Sequence, residues 1–236
     1  VCLLDRGVSI YEKSYVGLTK CAERLRAGEV VPDGEFDDVF PPEIEAVSFR
    51  HWTPVAVARR AARLLADAGA RRILDVGAGP GKFCIVGALT TDAHFTGLER
   101  RRNLVEEARR AAARLRVDRV HFAHANLLDF DSRGFDGFYL YNPFQEFVEA
   151  DDPFPIDRTV RRSEALHKTY IAATIAMLIR APVGTVVATF HGFGGPMPGQ
   201  YRRLREERLF GAQLVLWMRD RNSIRKDKAG EDRAAA

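Results

Sequence analysis

The chain has 236 residues, 46% hydrophobic and 29% charged, enough for one soluble globular domain with a substantial core and a small cap. A formal charge of +4 and a pI near 9.1 allow nucleic-acid binding without demanding it, because arginines are interleaved with acids, as over 202–208. No apolar run approaches the roughly 20 residues needed to span a bilayer, and the scattered Cys2, Cys21 and Cys84 form no CxxC pair, which argues against a zinc site or a disulfide framework and for a reducing, cytoplasmic setting.

The opening VCLLDRGVSIYEK is too short in its apolar part and too acidic for a signal peptide, and its lack of Met reads as a trimmed start. The first fifty residues read as a helical cap with a helix over 14–27. A connector over 28–43 follows, and its acids, glycines and the pair Pro41 and Pro42 argue against regular structure. Thr53 is expected as an N-cap with Pro54 at the first helical position, opening an Ala-rich helix that runs to Leu65 and stops near Gly69. Residues 71–76 read as a buried strand running into a glycine-rich turn, followed by a helix over 81–89 and a strand over 94–99. Residues 103–115 form an amphipathic helix with Leu104, Ala108, Ala111 and Leu115 on one face, and strands follow over 120–125 and 135–141. A long helix is expected over 157–180, closed by Pro182, then a strand over 184–191 and an antiparallel pair over 201–206 and 213–219. Residues 221–236 read as a polar, frayed tail. The division is thus a cap and connector over 1–52, a main domain over 53–220 and the tail. Alternating strands and helices imply an α/β fold with a doubly wound, mostly parallel sheet, right-handed crossovers and antiparallel edge strands. Ligands in such sheets bind at the carboxyl ends of the strands.

The informative residues fall at those ends. In Asp75-Val76-Gly77-Ala78-Gly79-Pro80-Gly81 the glycines permit a tight turn and close approach of a ligand to the backbone. Glu99, about twenty residues on, is placed to accept hydrogen bonds from ribose hydroxyls. A dinucleotide fingerprint needs a small residue at 82, which is Lys82. The run LDVGAGPGKF resembles motif I of class I methyltransferases, and Glu99 matches that family's ribose-binding acid. The resemblance implies a Rossmann-like fold and S-adenosyl-L-methionine as cofactor, held by Asp75, Gly77, Ala78, Gly79, Gly81 and Glu99. That cofactor is a cation without a diphosphate, so an acidic first loop is tolerated; a diphosphate would be repelled. After the third strand the family presents an acid to the adenine amino group. Here the position is Asn126, whose carbonyl is expected to accept the same bond, with Leu127 packing on the adenine face. Asp129 reads as a turn residue.

Tyr141-Asn142-Pro143-Phe144 resembles the N-P-P-Y motif of methyltransferases acting on planar nitrogens, less one proline. It is also similar to the asparagine-aromatic pair of non-SET histone-lysine methyltransferases. The resemblance implies that Asn142 and Pro143 hold an acceptor nitrogen in line with the methyl carbon, and that Phe144 stacks on a flat acceptor. The stretch Phe49-Arg50-His51-Trp52-Thr53-Pro54 resembles the aromatic-Thr-Pro run ahead of motif I in amino-methyltransferases of nucleic acids, where it forms part of a lid. His191 is the candidate general base, and Glu146 and Glu149 are candidates for binding a cationic acceptor. No His/carboxylate cluster points to a metal.

The reading is methyl transfer to a nitrogen of a protein or small molecule. Transfer to a nucleic-acid amino group, a non-catalytic cofactor-binding domain and, more distantly, an NAD-dependent oxidoreductase stand as alternatives. The acceptor, the oligomeric state and the role of the cap are open at this level.

Overall fold

A computed structural model describes residues 10–148, 156 and 162–221. The cap begins with α1 (Ile10–Arg26), followed by three short helices, α2 (Asp33–Asp37), α3 (Pro42–Glu45) and α4 (Ser48–His51). Then come α5 (Val55–Asp67), β1 (Arg72–Val76), α6 (Lys82–Thr90), β2 (His94–Glu99), α7 (Arg102–Arg114), β3 (Val120–His124) and β4 (Gly137–Tyr141). The chain ends in α8 (Glu164–Arg180), β5 (Val186–Phe190), β6 (Tyr201–Leu209) and β7 (Ala212–Arg219).

The sheet has seven strands in the order β3-β2-β1-β4-β5-β7-β6. The first five run parallel, while β7 pairs antiparallel with both β5 and β6. Inner strands bury both faces, so β1, β4 and β5 are apolar nearly throughout. Ile73, Phe95 and Tyr139 pack towards α5, α6, α7 and the cap; Leu74, Leu98 and Phe138 share a second cluster with Tyr170, Met177 and Leu178 of α8. Strand order reverses between β1 and β4, which opens a crevice at their carboxyl ends. Among the described residues no helix is long and apolar enough to cross a membrane.

Several boundaries differ from expectation. Helix α8 starts at Glu164, with Ser163 Oγ accepting from the Leu166 N–H at 3.1 Å, rather than at 157. Residues 157–161 and 222–236, where a helical turn and the tail were expected, lie outside the described residues. The terminal hairpin is longer than its polar ends suggest, with the turn at Phe210 and Gly211 both in the left-handed region.

The connector holds the main correction: it contains the short helix α2 and the start of α3, although 28–32 and 38–41 are irregular as expected. Pro32 and Pro41 immediately precede α2 and α3 with φ of −66° and −67°, the value their rings impose. Phe36, Val39, Phe40 and Ile44 then enter the core. Two of the connector's acids hold a buried cation. Lys82, only 2% exposed at the start of α6, lies with its Nζ 2.6 Å from Asp33 and 2.7 Å from Asp37, and donates to Ser48 Oγ at 3.2 Å.

Asp33 has a second role that displaces the expected cap of α5. Its Oδ1 accepts from the Val55 N–H at 2.8 Å, while Pro54 precedes the helix with ψ of 142°. Thr53 caps nothing; its hydroxyl hydrogen-bonds Tyr139 at 3.2 Å in the core. Trp52, buried, donates from Nε1 to the Ile44 carbonyl at 3.0 Å, and its ring lies against Gly79.

Removing the ammonium leaves the Asp37 carboxylate buried without its cation. Lys82→Met is expected to lower stability by about 3–5 kcal/mol in urea unfolding followed by tryptophan fluorescence. Adding Asp37→Leu is expected to restore part of the loss. A Lys82→Met protein as stable as the wild type contradicts the structural role of this cluster.

Candidate cofactor and acceptor site

A cleft of about 380 Å³, counting space open to solvent, lies at the switch point between β1 and β4. Its walls are Val76, Gly77, Leu98, Asn126, Leu127 and Phe144, with Glu99, Arg100, Arg101, Glu146, Phe147 and Tyr170 around them.

The glycine turn forms its floor. Gly77 has φ of +80°, and a Cβ added there comes within 3.0 Å of the Pro143 ring, so the turn after β1 and the turn after β4 press on each other. A Cβ on Gly79 lands 2.7 Å from the Trp52 ring, which shows how closely the cap covers the turn. The N–H groups of this turn are used internally. Gly77 and Ala78 donate to the Leu98 carbonyl at 2.9 and 3.0 Å, and Gly81 donates to the Ala78 carbonyl at 2.9 Å. Gly79 donates to Glu99 Oε2 at 3.1 Å, and the Arg101 N–H donates to Oε1 at 2.8 Å. The Glu99 carboxylate is thus oriented by two backbone donors at the cleft, with the Arg101 guanidinium 3.6 Å from Oε1, and Oε2 keeps a lone pair for a ligand hydroxyl.

Asn126 ends the strand β3 segment and caps a single 3-10 turn (Leu127–Asp129). Its Oδ1 accepts from the Leu128 N–H and from the Tyr170 hydroxyl, each at 3.0 Å. Tyr170 is stacked between Phe144 (5.0 Å, 17°) and Phe147 (5.4 Å, 7°). Phe144 therefore lines the cleft from within a three-ring stack and is buried. It is not the free aromatic face expected for an acceptor. The stack, and Tyr170 in particular, has no local sequence signal, because Tyr170 comes from the middle of α8.

Asn142 stands just past β4 in the left-handed region, with φ of 40°. Its N–H donates to the Gly192 carbonyl at 2.9 Å and its Nδ2 to Gln145 Oε1 at 3.3 Å, leaving Oδ1 as an open acceptor. His191, after β5, is also left-handed at φ 57°. It is exposed, packs beside Tyr141 and Phe190, and, like Asn142, does not line the cleft.

Of the residues expected around the cofactor, Gly77, Glu99, Asn126 and Leu127 meet at the cleft, together with Pro143 and Phe144. Ala78, Gly79 and Gly81 shape the turn behind it. Asp75 is not brought there. Strand alternation turns it to the opposite face, 4% exposed, where Cys84 Sγ donates to its Oδ2 at 3.6 Å. Burial, with Glu99 adding like charge, pushes its carboxyl up to about 8. Glu146 is already paired, with Arg100 at 3.2 Å and more closely with Arg101, so it offers no free charge to a cationic acceptor. Glu149 lies outside the described residues.

Residues 68–151 match the family model of the methyltransferase domain. No curated protein matches the chain. Among solved structures it is similar to an RNA methyltransferase from Salinibacter ruber in complex with S-adenosyl-L-homocysteine, at 23% identity over 72% of this chain and 94% of that one, with a TM-score of 0.53. It is also similar to TrmN from Thermus thermophilus, at 16% identity over 75% of this chain and 52% of that one, with a TM-score of 0.51. These likenesses place the fold among the class I, Rossmann-like methyltransferases.

The raised carboxyl of Asp75 sets a pH dependence. The folded state holds this proton more tightly than the unfolded chain, so stability is greatest below pH 4 for this group and falls as pH rises towards about 8. Asp75→Asn, an isostere of the protonated acid, removes that dependence. Its advantage over the wild type in urea unfolding is expected to grow between pH 5 and pH 8; a constant difference contradicts the assignment.

Proposed function

We propose that this chain, which carries a methyltransferase domain of the class I, Rossmann-like fold, binds S-adenosylmethionine in the cleft and transfers its methyl group to a nitrogen of a protein or small molecule. The meeting of Gly77, Glu99 and Pro143 at one sheet edge, with Asn142 next to Pro143 in the chain, carries the reading.

The residues present suit such a ligand. Glu99 faces the cleft as an oriented carboxylate suited to ribose hydroxyls, and Val76, Leu98 and Leu127 offer apolar walls to a base. A diphosphate is served poorly, because anion sites at such turns need free N–H groups and those of Gly77 to Gly81 already have partners. The neighbour from Salinibacter ruber carries S-adenosyl-L-homocysteine, in keeping with this choice.

When bound, the cofactor supplies an electrophilic methyl group. The chain's part is to place the acceptor and to balance charge. Asn142 Oδ1, open at the end of β4, is suited to accept an N–H bond from the acceptor and so to fix the nitrogen's lone pair. Its dipole also favours the positive charge that grows on that nitrogen during transfer. Pro143, pressed on Gly77, sets the distance between acceptor turn and cofactor floor. Acceptor selection favours a protein or small molecule, since three of the four β6 arginines are tied to acids of their own edge: Arg202 to Asp220, Arg203 to Glu206 and Arg205 to Glu207. This leaves no strong basic face there for a nucleic acid.

The test is calorimetric titration with S-adenosylmethionine and S-adenosylhomocysteine, with NADH as control, joined to transfer of labelled methyl into protein, RNA and small-molecule fractions of an extract. Glu99→Gln is expected to weaken cofactor binding about tenfold or more. Asn142→Ala is expected to keep that binding and lower transfer about 100-fold. A folded protein that binds neither sulfur ligand contradicts the reading. Binding without transfer into any fraction favours a non-catalytic cofactor-binding domain.

A further inference from the structure

We propose that Tyr170 is a specificity-determining residue of the base pocket: it holds Asn126 so that the amide N–H₂, not the carbonyl, meets the ligand, and the base is read at a ring nitrogen instead of at its 6-amino group. The inference rests on the cofactor reading above.

The orientation of Asn126 follows from its partners. A backbone N–H only donates, so the amide atom 3.0 Å from the Leu128 N–H is the oxygen. The Tyr170 hydroxyl, 3.0 Å from the same oxygen, fills the second lone pair. Tyr170 is 4% exposed and clamped between the rings of Phe144 and Phe147, so the hydroxyl cannot swing away without opening the stack. The Asn126 carbonyl therefore has no capacity left for a ligand. What Asn126 brings to the cleft is Nδ2, with two N–H donors.

Adenine presents acceptors at its ring nitrogens and donors at its 6-amino group. A donor facing a donor is repulsive, so Nδ2 pairs with a ring nitrogen. This reverses the polarity expected from the sequence, in which the Asn126 carbonyl stood in for a carboxylate. Turning the amide over to restore that contact aims N–H₂ at the Leu128 N–H, a donor with no way to accept, so the backbone bond is lost even though the Tyr170 hydroxyl could accept in turn.

The experiment compares S-adenosylhomocysteine with its analogue carrying unsubstituted purine, which keeps every ring nitrogen and lacks the amino group. Affinities are measured calorimetrically for the wild type, Asn126→Asp and Tyr170→Phe. The wild type is expected to bind the two ligands within about threefold of each other. Asn126→Asp puts an acceptor at that place and is expected to prefer the amino-bearing ligand by about tenfold. Tyr170→Phe keeps the ring stack but frees one lone pair, and is expected to raise the same preference to about threefold or more above the wild-type ratio. A merely structural role for Tyr170 lowers both affinities together and leaves the ratio unchanged, which overturns its part in specificity. A wild type that loses about tenfold or more when the amino group is removed overturns the donor assignment. Failure of the wild type to bind S-adenosylhomocysteine at all overturns the cofactor reading and this inference with it, a result distinct from both.

Discussion

One buried ammonium organises the end of this sheet at which ligands bind. Lys82 is the first residue of α6, where the helix dipole disfavours a cation, and it is almost sealed from water. Either circumstance alone is costly, so its position depends on Asp33, Asp37 and Ser48, all from the cap. Asp33 also holds the first N–H of α5. A single charge cluster thus ties the connector to two helices of the main fold, and it brings Trp52 down on Gly79. The glycine turn is then held from outside by the cap and from inside by Glu99, which receives the Gly79 N–H.

The strands and α7 were legible because their signals are local, while the starts of α1 and α8 were misplaced by four and seven residues. Residues 94–99 were read with the bounds the structure has, and 71–76, 103–115 and 184–191 fell within one or two residues of them. The position of the glycine turn at a carboxyl end of the sheet followed from the alternation of elements. The connector was misread because its acids and prolines look like a solvated turn until Lys82, far along the chain, supplies their partner. The same distance hid the cap of α5: Thr53 and Pro54 look like a helix start, but an aspartate 22 residues upstream does the capping.

Within the site, residue type was legible and orientation was not. Glu99, Asn126 and Asn142 stand at the ends of their strands as the pattern implied. Whether a side chain meets the cleft depends on neighbours that no spacing reveals. Phe144 is drawn into a stack by Tyr170 and Phe147, and Glu146 is neutralised by Arg100 and Arg101. His191 is turned beside Tyr141, although the Asn142 N–H ties its own strand end to that of β5 through Gly192.

The proposal of a cationic cofactor rests on different ground from the one the sequence suggested. An acidic Asp75 repelling a diphosphate requires a charged carboxylate near the ligand. Its position on the far face and a carboxyl pushed up to about 8 leave Asp75 largely neutral at pH 7. What disfavours an anion is instead the backbone, since the turn's N–H groups are already directed to Leu98, Glu99 and Ala78. Glu99, Arg100, Arg101 and Glu146 all border the cleft, and Glu99 is oriented there by the Gly79 and Arg101 N–H groups and paired with the Arg101 guanidinium at 3.6 Å. The glycines therefore act mainly by shape. Gly77 and Gly79 let Pro143 and Trp52 close in on the turn, and that closeness brings the turn after β4 and the glycine turn together at one sheet edge.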